Sequence, residues 1–162
     1  MKNLFDKEKS IEIIHYFINN GVTDLDNICK AMAFADNYHL SHYGFFMTGD
    51  RYIAMRYGPV PSGLYDVLKE IRGEKYAHGV KTRYNDFYDS IEANMDYLSI
   101  SNVTALNYGI NKVKGLGSNF SKVHDESINS AYKKTEPNEE IDIIDIAKTF
   151  ENSADIIDYI NR

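Results

Sequence analysis

Four polar residues in the first third of the chain are of the types that acid–base catalysis and metal binding use. Asp36, His39 and His42 stand three residues apart on a predicted helix, and Asp50 follows in a predicted turn. This spacing spreads the three helical side chains over about 120° of the helix surface, so they cannot converge on one ion without ligands from elsewhere. No HExxH motif or Cys/His cluster stands in the sequence to supply them. We therefore predict no metal site and expect hydrogen bonds at the helix end, with His39 donating to a buried carbonyl or to Asp50.

A hydrolase is the catalytic alternative. Paired carboxylates perform general acid–base chemistry when their surroundings separate their pKa values, so Asp36 and Asp50 with His39 form a hypothetical hydrolase site. An Asp after Thr-Gly more often accepts hydrogen bonds from N–H groups of its own turn, and we expect that role for Asp50. Ser62 lacks the Gly-x-Ser of a nucleophile elbow and is predicted to cap a helix. We predict no catalytic residue and no cofactor, and the hydrolase stays an alternative.

The stretch from Thr48 to Asp66 must position these side chains. Thr-Gly-Asp at residues 48–50 predicts a turn around Gly49, and the alternation of residues 51–57 predicts a strand. Gly58, Pro59 and Pro61 are predicted to end that strand, because a proline has no N–H to donate to a ladder. A helix with one apolar face is predicted from Ser62 onwards. The stretch therefore predicts a rigid corner between a strand and a helix.

Aromatic residues surround this corner. The chain has 13 Tyr, 8 Phe and no Trp, and tyrosine suits protein interfaces because it is amphipathic and loses little conformational entropy on ordering. The alternative for each tyrosine is ordinary packing in the core. We predict a partner-binding surface at the corner, made of Asp50, Tyr52, Tyr57, Val60 and Tyr65.

The remaining pattern predicts a mostly helical α+β domain. One domain is expected over residues 1–162, with about six to seven helices around a small antiparallel sheet. Helices are predicted from about Asp6 to Gly21, from a Thr23 cap to Gly44, from Ser62 to Gly73, from Ser101 or Asn102 to Gly115, from Ser118 through Val123, and from a Ser153 cap. Strands are predicted at residues 45–47, pairing with the strand from Arg51, and at residues 95–100. Residues 74–94 are predicted to be functional, partly ordered, or to contain a short strand.

Composition and charge narrow the class of protein. The net charge is −6 in 162 residues, which argues against broad binding to nucleic acid phosphates. Cys29 is the single cysteine, so an internal disulfide is excluded and a buried, inert thiol is expected. No signal peptide and no apolar run of membrane-spanning length are present in the sequence. We therefore expect a cytoplasmic protein that binds neither nucleic acid nor membranes.

Residues 33–66 contain three consecutive motifs. They read A-D-x-x-H-L-x-x-Y-G, T-G-D-x-Y-x-A and G-P-V-P-x-x-L-Y-D. Together they resemble the SocA-like antitoxin family, also called the Panacea domain, whose members include phage-associated proteins. The resemblance is strongest over residues 33–66, and the motif positions to which we assign a structural role are Asp36, His39, Tyr43, Gly44, Gly49, Gly58, Pro59 and Pro61. Near residues 122–132 a Trp common in the family is replaced by Tyr or missing.

The resemblance implies the antitoxin of a type II toxin–antitoxin pair, which neutralises a toxin encoded beside it by direct protein binding. A second possibility that it implies is a proteolytic adaptor, which delivers the toxin to an AAA+ protease. The alternatives from other classes are the hydrolase at Asp36, His39 and Asp50, and a phage-borne structural or accessory protein.

Overall fold

The computed structural model describes residues 4–162, in which α-helices predominate over short strands. The helices are α1 (Lys7–Asn19), α2 (Leu25–Tyr43), α3 (Ser62–Gly73), α4 (Ile100–Gly115), α5 (Phe120–Ser127), α6 (Ser130–Lys133), α7 (Ile143–Ala147) and α8 (Ser153–Ile160). The strands are β1 (Tyr52–Met55), β2 (Gly58–Pro61), β3 (Val80–Arg83) and β4 (Asp86–Ser90), and single 3-10 turns cover Ala77–Gly79 and Met95–Tyr97. The predicted mostly helical α+β class is confirmed. The described part has eight α-helices rather than six or seven, and two antiparallel two-stranded sheets rather than one.

Helix α2 lies at the centre of the fold and is buried along most of its length. Asp24 caps its N-terminus by accepting a hydrogen bond from the Asn27 N–H at 2.8 Å, one residue after the cap predicted at Thr23. The helix ends at Gly44, as predicted, with φ of +88°. Helix α4 packs very closely on α2 at Gly109, where an added Cβ atom would lie 2.2 Å from the carbonyl oxygen of Ala31.

Strands β1 and β2 form a hairpin, so the prediction that residues 58–61 merely end the strand is wrong. Pro59 pairs with Ala54, and Pro61 pairs with Tyr52. These prolines leave no donor missing, because the backbone groups of Tyr52 and Ala54 point to the other side of β1. There the N–H of Ala54 donates to Glu139 at 2.9 Å, and the carbonyl of Tyr52 accepts from the N–H of Ile141 at 2.7 Å. Residues 138–141 thus cover the second edge of β1.

Two other strand predictions are wrong. Residues 45–47 form turns rather than a strand, because the Met47 N–H donates to Asp36 inside the core at 2.9 Å. Residues 95–100 contain a 3-10 turn, and α4 already begins at Ile100. Ser99 explains this early start, since it forms a capping box with Asn102.

The long polar segment is ordered. Residues 80–90 contain the β3–β4 hairpin, in agreement with the predicted possibility of a hidden strand. The caps predicted at Ser118 and Ser153 each lie one residue from the cap in the structure, which is Asn119 for α5 and Asn152 for α8.

The apolar core consists of two clusters. The larger one joins α1, α2, α3 and α4 with Val80 and Phe87 of the second hairpin. The smaller one holds the C-terminal segment on α2 and β1, through Ala33, Leu40, Phe46, Tyr52, Ala54, Ala131, Ile141, Ile146, Ala147 and Ile156. Among residues 4–162, no helix combines the length and apolar character needed to cross a bilayer.

Candidate partner-binding site

Asp36 joins α2 to both segments of the central corner. Its side chain is fully buried, and its two carboxylate oxygens accept hydrogen bonds from the Met47 N–H at 2.9 Å and the Tyr52 hydroxyl at 2.7 Å. Burial raises the pKa of Asp36 to about 7, although these two hydrogen bonds oppose the shift. The Tyr52 hydroxyl also lies 3.2 Å from the Met32 carbonyl oxygen. Asp36 therefore serves as an internal anchor for the corner.

His39 connects α2 to the start of α4. Its Nδ1 lies 2.8 Å from the carbonyl oxygen of Phe45, and its Nε2 lies 3.0 Å from Oγ of Ser101. Because a carbonyl can only accept, Nδ1 carries the proton and Nε2 accepts from Ser101. Burial lowers the pKa of His39. The predicted hydrogen bond to a carbonyl is confirmed, with Phe45 as its partner, although Phe45 is itself exposed.

Asp50 caps helix α3 from outside the helix. Its carboxylate accepts hydrogen bonds from the N–H groups of Arg51 at 2.7 Å, Gly63 at 2.7 Å and Leu64 at 3.0 Å. Burial raises the pKa of Asp50, and the three N–H donors oppose that shift. The predicted role of Asp50 as an acceptor for backbone N–H groups is confirmed, but Gly63 and Leu64 belong to α3 rather than to its own turn. Ser62 is the first residue of α3 and is not its cap, contrary to the prediction.

The hydrolase hypothesis gains no support from this geometry. Asp36, His39 and Asp50 each bind different backbone groups. Asp50 lines two surface cavities, and neither is lined by Asp36 or His39. Within residues 4–162, no three side chains among His, Cys, Asp and Glu are grouped so as to hold a metal ion.

The other motif residues shape the corner. Gly44, Gly49 and Gly58 all have positive φ, of +88°, +69° and +117°, which favours glycine. Gly44 also faces the ring of Tyr159, which an added Cβ atom would contact at 2.3 Å. The exposed ring of Tyr43 lies 4.7 Å from that of His39.

The structure divides the predicted partner-binding surface into two parts. Asp50 and Tyr52 are buried, with 7% and 3% exposure, and they support the corner from inside. Tyr57, Val60 and Tyr65 instead line one surface groove of about 230 Å³. We call it the tyrosine groove; its other lining residues are Leu25, Asp26, Cys29, Lys30, Met55 and Arg56.

An exposed aromatic cluster borders the groove at Tyr57. The Tyr57 ring lies 5.5 Å from that of Phe120 and 6.4 Å from that of His124, and the Arg56 guanidinium lies 5.3 Å from the Tyr57 ring centre. Tyr57 and Phe120 are both about half exposed. Sequence reasoning missed Phe120, although its spacing of four residues from His124 places the two on one face of a helix.

Lys30 is the second groove residue that sequence reasoning missed. Its side chain belongs to α2 and is only 4% exposed. The thiol of Cys29 beside it is also buried, and burial raises the pKa of that thiol to about 12. Cys29 is thus a neutral thiol at neutral pH, in agreement with the inert thiol that was predicted.

Comparison with known families agrees with the resemblance of residues 33–66. The family model described as "Antitoxin SocA-like, Panacea domain" matches residues 28–152. The search of curated proteins and the search of solved structures found no match. The matched range extends from α2 to the segment before α8 and includes every motif residue described above. On this evidence the chain belongs to the SocA-like antitoxin family and contains its Panacea domain.

Proposed function

We propose that this chain is the antitoxin of a type II toxin–antitoxin pair and neutralises its toxin by binding it directly. Membership of the antitoxin family implies a toxin partner. The role is non-enzymatic and cytoplasmic in this proposal, and the pair is carried by a phage or another mobile element. The observation that carries the proposal is the tyrosine groove with its exposed aromatic border.

The composition of this surface is that of a protein interface. Tyrosine and arginine are the residues most often found at the energetic centres of interfaces. Here Arg56, Tyr57 and Phe120 are exposed at or beside the tyrosine groove. Single exposed apolar residues are common on protein surfaces, but a contiguous cluster beside a groove marks an interaction site.

The groove is built on elements that are held in place from inside. Tyr57 belongs to the turn of the β1–β2 hairpin, whose strand β1 is tied to α2 through Tyr52 and Asp36. Tyr65 belongs to the first turn of α3, which Asp50 caps. Such a surface loses little freedom on binding, and this preorganisation improves affinity.

Delivery of the toxin to an AAA+ protease is the second form of this proposal. An adaptor must bind two proteins at once, so it needs a second surface. The β3–β4 hairpin offers one, because Tyr84 and Tyr88 are 88% and 51% exposed there.

The test is co-expression with the protein encoded by the adjacent gene. The two proteins are expected to co-purify, and growth is expected to recover. Tyr57→Ala and Tyr65→Ala are each expected to lower the affinity by ~1–2 kcal/mol, or roughly 5- to 30-fold in Kd. Titration of the folded variants by calorimetry measures this change.

Tyr97→Ala is the matched control, because Tyr97 is 42% exposed and does not line the groove. Circular dichroism of each variant establishes that it is folded. Unchanged affinity in both folded groove variants would rule out this surface. Absence of binding by the unmodified chain would rule out direct neutralisation.

A further inference from the structure

Lys30 places an unpaired positive charge inside the tyrosine groove. Its side chain is 96% buried and lines the groove. Among residues 4–162 it takes part in no hydrogen bond and no ion pair. An ammonium group that is largely buried and has no protein partner is costly, since burial removes most of its hydration and leaves only the solvent in the groove in contact with it.

The neighbouring groups do not satisfy this ammonium group. Asp26 lies one turn before Lys30 on α2, and within the described residues 4–162 it makes no ion pair within 4.0 Å. The thiol of Cys29 stays protonated, and Oγ of Ser127, which donates to the carbonyl of His124 at 2.7 Å, makes no hydrogen bond with Lys30 in the described part of the chain. Burial lowers the pKa of Lys30, and the negative charge of Asp26 opposes this shift without cancelling it.

The space around Lys30 depends on Gly58. A Cβ atom at Gly58 would lie 2.9 Å from Nζ of Lys30 and 2.9 Å from Oγ of Ser127. A glycine in the β1–β2 hairpin therefore leaves the room that the ammonium group occupies. The motif that contains Gly58 thus shapes the groove as well as the turn.

Apart from the charged side chains of Asp26 and Arg56, the walls of the groove around Lys30 are mainly apolar. Leu25, Met55, Val60 and Tyr65 line it beside Lys30, and its volume is about 230 Å³. This is enough for one acidic side chain and part of an apolar neighbour, but not for a folded element. A carboxylate would pair with the ammonium group, while its methylene stem would contact the apolar walls.

We infer that the tyrosine groove receives an aspartate or glutamate side chain of the toxin, flanked by an apolar residue, and that Lys30 binds its carboxylate. This inference rests on the proposed function and identifies what the groove recognises. It makes Lys30 the residue that determines specificity, with Tyr57 and Tyr65 as the surrounding aromatic contacts. Pairing with a carboxylate on binding would satisfy the charge that is unpaired in the free protein.

The central test is Lys30→Met, which keeps the aliphatic stem and removes the charge. The variant is expected to have a higher melting temperature than the unmodified chain and at least ~10-fold weaker toxin binding. A rise in melting temperature together with a loss of toxin affinity distinguishes a binding role from a structural one. Loss of a lysine that stabilises the fold would instead lower the melting temperature. Lys81→Met is the control, since Lys81 is exposed, pairs with Asp89 on the β3–β4 hairpin and does not line the groove. Unchanged toxin affinity in folded Lys30→Met would overturn the inference and leave the proposed function intact.

A second measurement needs no toxin. 3-Phenylpropionate and its amide, 3-phenylpropanamide, serve as probes of equal shape, and the Lys30 Cε resonance is followed by NMR. The carboxylate is expected to shift this resonance saturably and to bind at least ~10-fold more tightly than the amide. Equal binding of the two probes, or no binding of the carboxylate, would overturn the inference. This result is independent of whether the adjacent gene product binds at all.

The chain terminus of the toxin is the other source of a carboxylate. Extending that terminus by Gly-Ser is expected to leave the Lys30-dependent affinity unchanged, because the inferred ligand is a side chain. If the extension alone abolishes that affinity, the assignment to an acidic side chain is wrong.

Discussion

At the scale of single residues, Asp36 carries the clearest link between protonation and folding. Its carboxyl group is fully buried among two donors, and burial raises its pKa to about 7. In the unfolded chain the same group has a pKa near 3.8. The folded protein therefore retains a proton that the unfolded chain loses between these two values.

Stability should consequently fall as the pH rises through this window. The contribution of Asp36 is fully present below pH ~4 and is lost progressively up to pH ~7, by at most ~1.4 kcal/mol per pH unit. Asp36→Asn should remove this dependence. The amide can still accept from Met47 and can donate to the Tyr52 oxygen, whose hydroxyl then donates to Met32. We expect the variant to gain stability relative to the unmodified chain as the pH rises from 4 to 8, measured by urea unfolding at each pH.

The control for Asp36 is Asp66→Asn, since Asp66 is an exposed carboxylate paired only with Lys69 at 3.2 Å. The free energy of unfolding of Asp66→Asn should differ from that of the unmodified chain by a nearly constant amount between pH 4 and 8. If the difference in free energy of unfolding between Asp36→Asn and the unmodified chain is also independent of pH, the raised pKa of Asp36 is contradicted.

Roles that depend on residue type and local spacing could be predicted from the sequence, whereas burial by a distant segment could not. His39 and Asp50 were assigned hydrogen-bonding roles from residue type and local spacing, and the structure confirms both. Lys30 was missed because a lysine on a helix is ordinarily exposed. Its burial arises from the hairpin around Gly58, which is 28 positions away in the sequence.

At the scale of elements, the contact between α2 and α4 depends on Gly109. A Cβ atom there would lie 2.2 Å from the Ala31 carbonyl oxygen, which belongs to the backbone and cannot move aside. Gly109→Ala should therefore separate the helices. Alanine favours a helix over glycine by ~1 kcal/mol, but we expect a net loss of ~1–3 kcal/mol because overpacking dominates. Thermal unfolding measures this loss.

Gly115→Ala is the matched control within the same helix. Nothing lies within 4 Å of a Cβ atom at Gly115, so this change should leave stability within a few tenths of a kcal/mol or raise it slightly. If Gly109→Ala were as stable as Gly115→Ala, the close approach of α2 and α4 would be incorrect.

Whether a segment forms a strand was harder to predict than whether it forms a helix, because a strand depends on pairing with a distant segment. Helices α1, α2, α3 and α4 were predicted within a few residues, because their apolar spacing and their stop signals are local. Strand β2 was missed because its two prolines argue against a ladder. They are tolerated because Pro59 and Pro61 stand opposite Ala54 and Tyr52, whose backbone groups point away from β2. Those groups pair instead with residues 138–141, a segment far away in the sequence.

At the scale of the whole molecule, the net negative charge is concentrated in the C-terminal segment, residues 136–162. Residues 136–162 contain eight acidic and two basic residues, whereas the preceding 135 residues contain sixteen of each. The entire net charge of −6 therefore belongs to the C-terminal segment. Its field would attract a basic partner over about one Debye length, ~8 Å at physiological salt.

Because residues 138–141 pair with β1 at its edge, the segments of the protein should unfold in a defined order when the chain is pulled from residue 162. The C-terminal segment contributes to the smaller core cluster and not to the larger one. An unfoldase that grips residue 162 would therefore peel away α8 and α7 and then the edge strand, while the four-helix cluster still holds. Strand β1 would lose its edge partner and the packing of the C-terminal segment on Tyr52 and Ala54 before Tyr57 itself is pulled.

In force spectroscopy with handles at both ends, the first rupture should release residues 136–162, an extension of roughly 90 Å at ~3.3–3.6 Å per residue. A single rupture of the whole chain would contradict this order. If a protein partner occupies the groove, extraction from this end would reach it only after residues 136–162 are released, because Leu25, Cys29 and Tyr65 of the groove belong to the larger cluster.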